Sequence, residues 1–140
     1  MTKNDSFDQL ITFNNRIYLV IDHGGTTSSG IEHNYTLYEI LNDSIHTYIT
    51  YSGRTGRLYK SDNSLYWYVR YDTSSKTRHC IFYFPNGDLT AQQTIYNENF
   101  TDTFYSATIE YLKKMDLFLI KEKDKSTQAT NAFLLCSNQE

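Results

Sequence analysis

Cysteine, proline and glycine are all scarce in this chain, which has two Cys, one Pro and six Gly among 140 residues. So few half-cystines cannot make a disulfide-stapled scaffold, and Cys80 and Cys136 show no metal-ligand spacing. They read as buried thiols. One proline and six glycines exclude a collagen-like or Pro/Gly-rich low-complexity chain. No apolar run is long enough to cross a bilayer as a helix, and Met1-Thr2-Lys3-Asn4-Asp5 is not a secretion signal. The expectation is a cytoplasmic chain without a membrane partner. A surplus of one charge is also missing: 13 Lys and Arg face 16 Asp and Glu, for a net charge of −3. That argues against nucleic-acid binding by the surface as a whole.

Chemistry-bearing motifs are absent as well. There is no Gly-x-Ser-x-Gly and no Cys-x-x-Cys, and His23, His33, His46 and His79 include no pair at helical i, i+4 spacing. These absences lead to the expectation of no catalytic residues, no metal and no cofactor. A small enzyme with scattered site residues ranks third among the functional readings.

What the chain does have is tyrosine: 13 Tyr among 16% aromatic residues. Tyr suits a half-buried pleated surface and also a contact surface. Aromatic and β-branched runs recur at Tyr35–Leu41, Ile45–Tyr51, Arg57–Lys60, Leu65–Tyr71 and His79–Phe84. Turn residues separate them, the clearest being Pro85-Asn86-Gly87-Asp88. This rhythm predicts a single β-rich domain over 1–140, all-β or α+β, with an antiparallel meander folded as a sandwich or small barrel. The run Arg16–Asp22 is almost continuously apolar, as in a strand covered on both faces. Ser6 and Gln9 have capping-box spacing, which predicts a short helix over Ser6–Asn14. Thr101–Met115 fits helical and strand periods alike, with a lean to helix, and Leu117–Lys121 with Ala132–Cys136 reads as a final hairpin.

The hairpin Leu65–Phe84 carries the most information. A loop centred between Ser74 and Ser75 sets Leu65, Trp67 and Val69 opposite Phe84, Phe82 and Cys80. The same register sets Tyr66, Tyr68 and Arg70 opposite Tyr83, Ile81 and His79. Directly opposed residues share a face in antiparallel strands, so one face is apolar core and the other amphipathic. Tyr66, Tyr68, Arg70, His79 and Tyr83 are therefore the candidate binding residues.

Two further features bear on anions. From Arg54 to Arg78 the chain carries six cations (Arg54, Arg57, Lys60, Arg70, Lys76 and Arg78) against Asp62 and Asp72. The segment Tyr18-Leu19-Val20-Ile21-Asp22-His23-Gly24-Gly25-Thr26, ending at Gly30, resembles the first phosphate-binding loop of the sugar-kinase and actin superfamily. That resemblance implies backbone N–H groups around a nucleotide phosphate. It covers about nine residues, and the family is built from two large α/β domains, for which this chain is too short. Gly24, Gly25, Thr26, Arg54 and Arg57 are the candidate anion-binding residues.

The leading functional expectation is a non-catalytic binding protein. Within that class it is a small inhibitor of a protein partner, such as an immunity protein or phage antagonist that neutralises a toxin or another enzyme. The alternative is a nucleotide or nucleic-acid binder using the basic, Tyr-rich sheet face. Oligomeric state is left open.

Overall fold

The computed structural model describes residues 5–25, 33–53, 55–62, 64–72, 77–98 and 105–136. They form eleven strands: β1 (Ser6–Phe13), β2 (Arg16–Gly25), β3 (His33–Leu41), β4 (Ser44–Gly53), β5 (Thr55–Lys60), β6 (Leu65–Asp72), β7 (Thr77–Phe84), β8 (Gln93–Asn97), β9 (Tyr105–Leu112), β10 (Leu117–Asp124) and β11 (Thr130–Leu135). Three open antiparallel sheets result, ordered β1-β2-β3-β4, β5-β6-β7-β8 and β11-β10-β9. The all-β, antiparallel expectation is met, and the sheets stack instead of closing into a barrel.

The middle sheet lies between the other two. One of its faces contributes Leu58, Leu65, Trp67, Val69, Cys80 and Phe84 to a core shared with Phe13, Tyr18, Val20, Tyr35 and Leu37 of the first sheet. The opposite face contributes Tyr66 and Ile81 to a second core with Phe118 and Ile120 of the third sheet. Two-sided burial explains why β6 and β7 are apolar or aromatic throughout Leu65–Val69 and Cys80–Phe84.

Two-residue turns set several registers. Asn14-Asn15 joins β1 to β2, and Asn42-Asp43 joins β3 to β4. All four residues have positive φ, between 50° and 63°. Asn and Asp tolerate that conformation best among non-glycine residues, and its twist matches that of the flanking strands. This turn overrides the helix expected over Ser6–Asn14. The segment is β1, and Gln9 uses its amide on the neighbouring sheet. Its Nε2 donates to the Leu58 carbonyl and its Oε1 accepts from the Leu58 N–H, both at 2.9 Å. The helix expected near 101–115 is also corrected. Residues from Tyr105 to Leu112 are β9, because alternation places Ile109 and Tyr111 on the second core, buries Ala107 and turns Thr108 and Glu110 outward. Residues 101–104 lie outside the described set. The final hairpin is present as β10 and β11.

The β6–β7 register matches the expectation pair for pair, from Leu65 opposite Phe84 to Arg70 opposite His79. Trp67 is 1% exposed. It meets the edge of the Tyr51 ring at 5.6 Å and lies over Gly56, where an added Cβ would stand 2.8 Å from the indole nitrogen.

Pro85-Asn86-Gly87 is a tight 3₁₀ turn after β7. Gly87 has φ +75°, and its carbonyl accepts a hydrogen bond from the buried Tyr18 hydroxyl. Nearby, Glu39 is fully buried and accepts from Arg16 Nη1 at 2.9 Å. Its other oxygen faces the Leu89 N–H at 3.4 Å, which ties the first sheet to the second 3₁₀ turn, Leu89–Ala91.

Candidate protein-binding face

The first sheet buries one face and leaves the other open. Along β2, Tyr18 and Val20 point into the core with no exposed area, whereas Ile17 on the opposite face is 39% exposed and Leu19 half-buried. The cover expected on both faces of Arg16–Asp22 is complete on one and on the other reaches only Ile21, which is 5% exposed.

The register shows how far this outer face extends. Leu10, Leu19, Tyr38 and Tyr48 form a row across all four strands. On one side lie Thr12, Ile17, Ile40 and Ile45, and on the other Phe7, Ile21, Thr36 and Thr50. No Asp, Glu, Lys or Arg stands in these three rows. Five of the seven large hydrophobic residues that the described residues expose belong to them: Phe7 (61%), Leu10 (53%), Ile17 (39%), Ile45 (59%) and Tyr48 (60%). Single exposed apolar residues are ordinary, but a contiguous uncharged group is not. The outer face of the third sheet is different, since Glu110, Lys121 and Lys123 interrupt its leucines. That face is built for water.

At one end the open face turns polar. His23 Nδ1 lies 2.8 Å from Asp5 Oδ1, and its Nε2 lies 2.7 Å from Thr36 Oγ1. A carboxylate can only accept, so Nδ1 carries a proton, while Nε2 shares a hydrogen bond with the Thr36 hydroxyl. Beside this chain of bonds lies a groove of about 440 Å³ lined by His23, Asn34, Thr36, Thr50 and Ser52 among others. The Ser52 hydroxyl donates to Asn34 Oδ1 at 2.6 Å. A carboxylate–imidazole–hydroxyl chain can polarise the hydroxyl, but Thr36 is only 5% exposed and offers a reactant little room. Its structural effect is to pin Asp5 to β2 and β3, giving the apolar face a hydrogen-bonded rim.

The binding residues expected from the β6–β7 hairpin lie elsewhere. They share one face as expected, but the third sheet covers it. Tyr66 is fully buried and meets Phe118 edge-on, with ring centroids 5.0 Å apart at 89°. Tyr83 packs 5.5 Å from Tyr66. The Tyr68 hydroxyl bonds to His79 Nδ1 at 2.6 Å, and burial pushes its pKa up to about 12. Arg70 is half-buried on the same face. Alternation shows which side chains share a face, but not which later strands lie on it. The third sheet begins with β9 at Tyr105, far along the chain from the hairpin.

The candidate anion loop is also turned inward where it is described. Gly24 donates its N–H to Asp22 Oδ1 at 2.8 Å, and the same carboxylate accepts from His33 Nδ1 at 2.9 Å. Gly25 pairs with His33 in the β2–β3 ladder. Arg57 is exposed on β5, opposite Tyr68. Thr26 and Arg54 lie outside the described residues. Among the described residues no cluster of His, Cys, Asp and Glu is placed to hold a metal ion, and no helix is long and apolar enough to cross a membrane. The chain matches no family model, no curated protein and no solved structure.

Proposed function

We propose that this chain is a protein-binding module whose contact surface is the outer face of the β1–β4 sheet. The observation behind this is the incomplete cover of β2: a strand composed for burial on both faces leaves Ile17 and Leu19 partly exposed on an uncharged face, beside exposed residues of β1 and β4. Such a face costs free energy in water and regains it when a partner excludes water. The apolar centre with a rim of His23, Thr36, Asn34 and Ser52 has the anatomy of a protein interface. The partner surface that fits it is apolar at its centre and carries hydrogen-bonding groups opposite the rim. Within this class we favour an inhibitor of another protein, an enzyme or a toxin, because inhibition requires a complementary surface and no chemical step.

The test uses a photo-crosslinking residue at Tyr48, with one at Lys121 on the third sheet as control. The expected result is a partner captured from Tyr48 and not from Lys121. That partner, once purified, should bind the Leu10→Asp/Tyr48→Asp variant at least about tenfold more weakly, as expected of hot-spot residues. Equal binding by a folded variant overturns the proposal. Capture of only a second copy of the chain at Tyr48 overturns the inhibitor reading and makes the face a dimer interface.

A further inference from the structure

We infer that a cleft at the turn end of the sheets, which borders the proposed protein-binding face at Thr12 and Ile17, is a binding site for a small phosphorylated molecule. The cleft has a volume of about 600 Å³, within the range of small-molecule sites. All three sheets contribute to it: Asn15 and Arg16 from the β1–β2 hairpin, Lys60 and Ser61 from the end of β5, and Lys113 from the β9–β10 turn. Three cations therefore face the cleft, while Asp62 is the one carboxylate lining it. In a chain where acidic residues outnumber basic ones, 16 to 13, this local balance is inverted.

The carboxylate nearest Lys113 in sequence is committed elsewhere. Lys113 shares its turn with Asp116, whose Oδ2 accepts from the Ser64 hydroxyl at 2.8 Å and whose Oδ1 accepts from the Tyr111 hydroxyl at 3.0 Å. Lys60 donates one hydrogen bond, to the Thr12 carbonyl at 2.5 Å, which holds its ammonium at the cleft and leaves two N–H groups for a ligand. Among the described residues neither lysine has an ion-pair partner. Arg16 is fixed from behind by Glu39, so its guanidinium is oriented before any ligand arrives. An oligoanion bridging these side chains would reduce their mutual repulsion, and the Asn15 amide can donate to its oxygens.

Titration calorimetry with inorganic pyrophosphate on the full chain tests the assignment, alongside inorganic phosphate and a short single-stranded oligonucleotide. Pyrophosphate should bind more tightly than phosphate, and rising salt should weaken it. Lys60→Gln/Lys113→Gln should weaken pyrophosphate at least about tenfold. Lys121→Gln/Lys123→Gln, which removes the same charge from the outer face of the third sheet, should change it less than about twofold. Thermal melting checks that both variants are folded. Absence of pyrophosphate binding at millimolar concentration overturns the inference, and so does equal weakening by the two variants. An oligonucleotide that binds more tightly than pyrophosphate, with the same lysine dependence, overturns the small-molecule assignment. None of these outcomes bears on Leu10 or Tyr48, so the cleft and the protein-binding face stand or fall separately.

Discussion

Several side chains hold states that bulk water would not give them, and each has a measurable consequence. Gly87 stands at φ +75°, and a Cβ there would lie 2.3 Å from the Tyr18 hydroxyl oxygen. Gly87→Ala therefore meets both backbone strain and a buried obstacle, and chemical denaturation should show a loss of about 1–3 kcal/mol or more. A loss below about half a kcal/mol would mean that the turn relaxes freely. Burial pushes the Cys80 thiol up to about 11, so little thiolate forms at neutral pH. In native protein a thiol reagent should label the half-buried Cys136 first, and Cys80 only after unfolding. Tyr18, Tyr35 and Tyr68 are each raised from 10.0 to about 12, chiefly by burial. Between those two values the folded chain holds protons that the unfolded chain has released. Stability should thus be insensitive to these groups below pH 10 and fall as pH climbs toward 12. Ultraviolet absorbance of tyrosinate, followed together with circular dichroism, should show late ionisation coinciding with unfolding.

At the scale of elements, what could be read in the sequence was what neighbouring residues decide. The β6–β7 register was legible because a hairpin pairs residues close in sequence, and opposing side chains must agree in character. The β1 segment was misleading because Ser6 and Gln9 satisfy a helix-capping pattern, while the turn that makes β1 a strand lies in Asn14-Asn15. No local rule announced that Gln9 would pair with Leu58, 49 residues away. That contact makes its own prediction. Gln9→Ala leaves the Leu58 N–H and carbonyl without their amide partner and should cost about 1–3 kcal/mol. Gln9→Glu keeps an acceptor and loses the donor, and should fall between Ala and wild type. The two candidate sites were hidden for the same reason. Openness of the β1–β4 face depends on which elements fail to arrive above Leu19, and the cleft gathers Arg16, Lys60 and Lys113 from the ends of three separate sheets.

At the scale of the whole molecule, the stack places its two cores on either side of one sheet. Among the described residues, every strand in it pairs only with a strand adjacent in sequence. No ladder waits for a distant segment to return, so the loop-closure entropy to be overcome before each pairing forms is small for a β protein. Each sheet can therefore zip from its turns as a local unit, with stacking of the sheets as the later, non-local event. Opening should follow the reverse order. The outer strands β1 and β11 can fray without disturbing the centre, whereas β6 and β7 are released only when both cores come apart. In native-state hydrogen exchange, amides of β6 and β7 should exchange last, with a free energy equal to that of global unfolding, and those of β11 much sooner. The strand pair that looks in sequence most like a contact surface would then be the kinetic lock of the molecule, the last part to let solvent in.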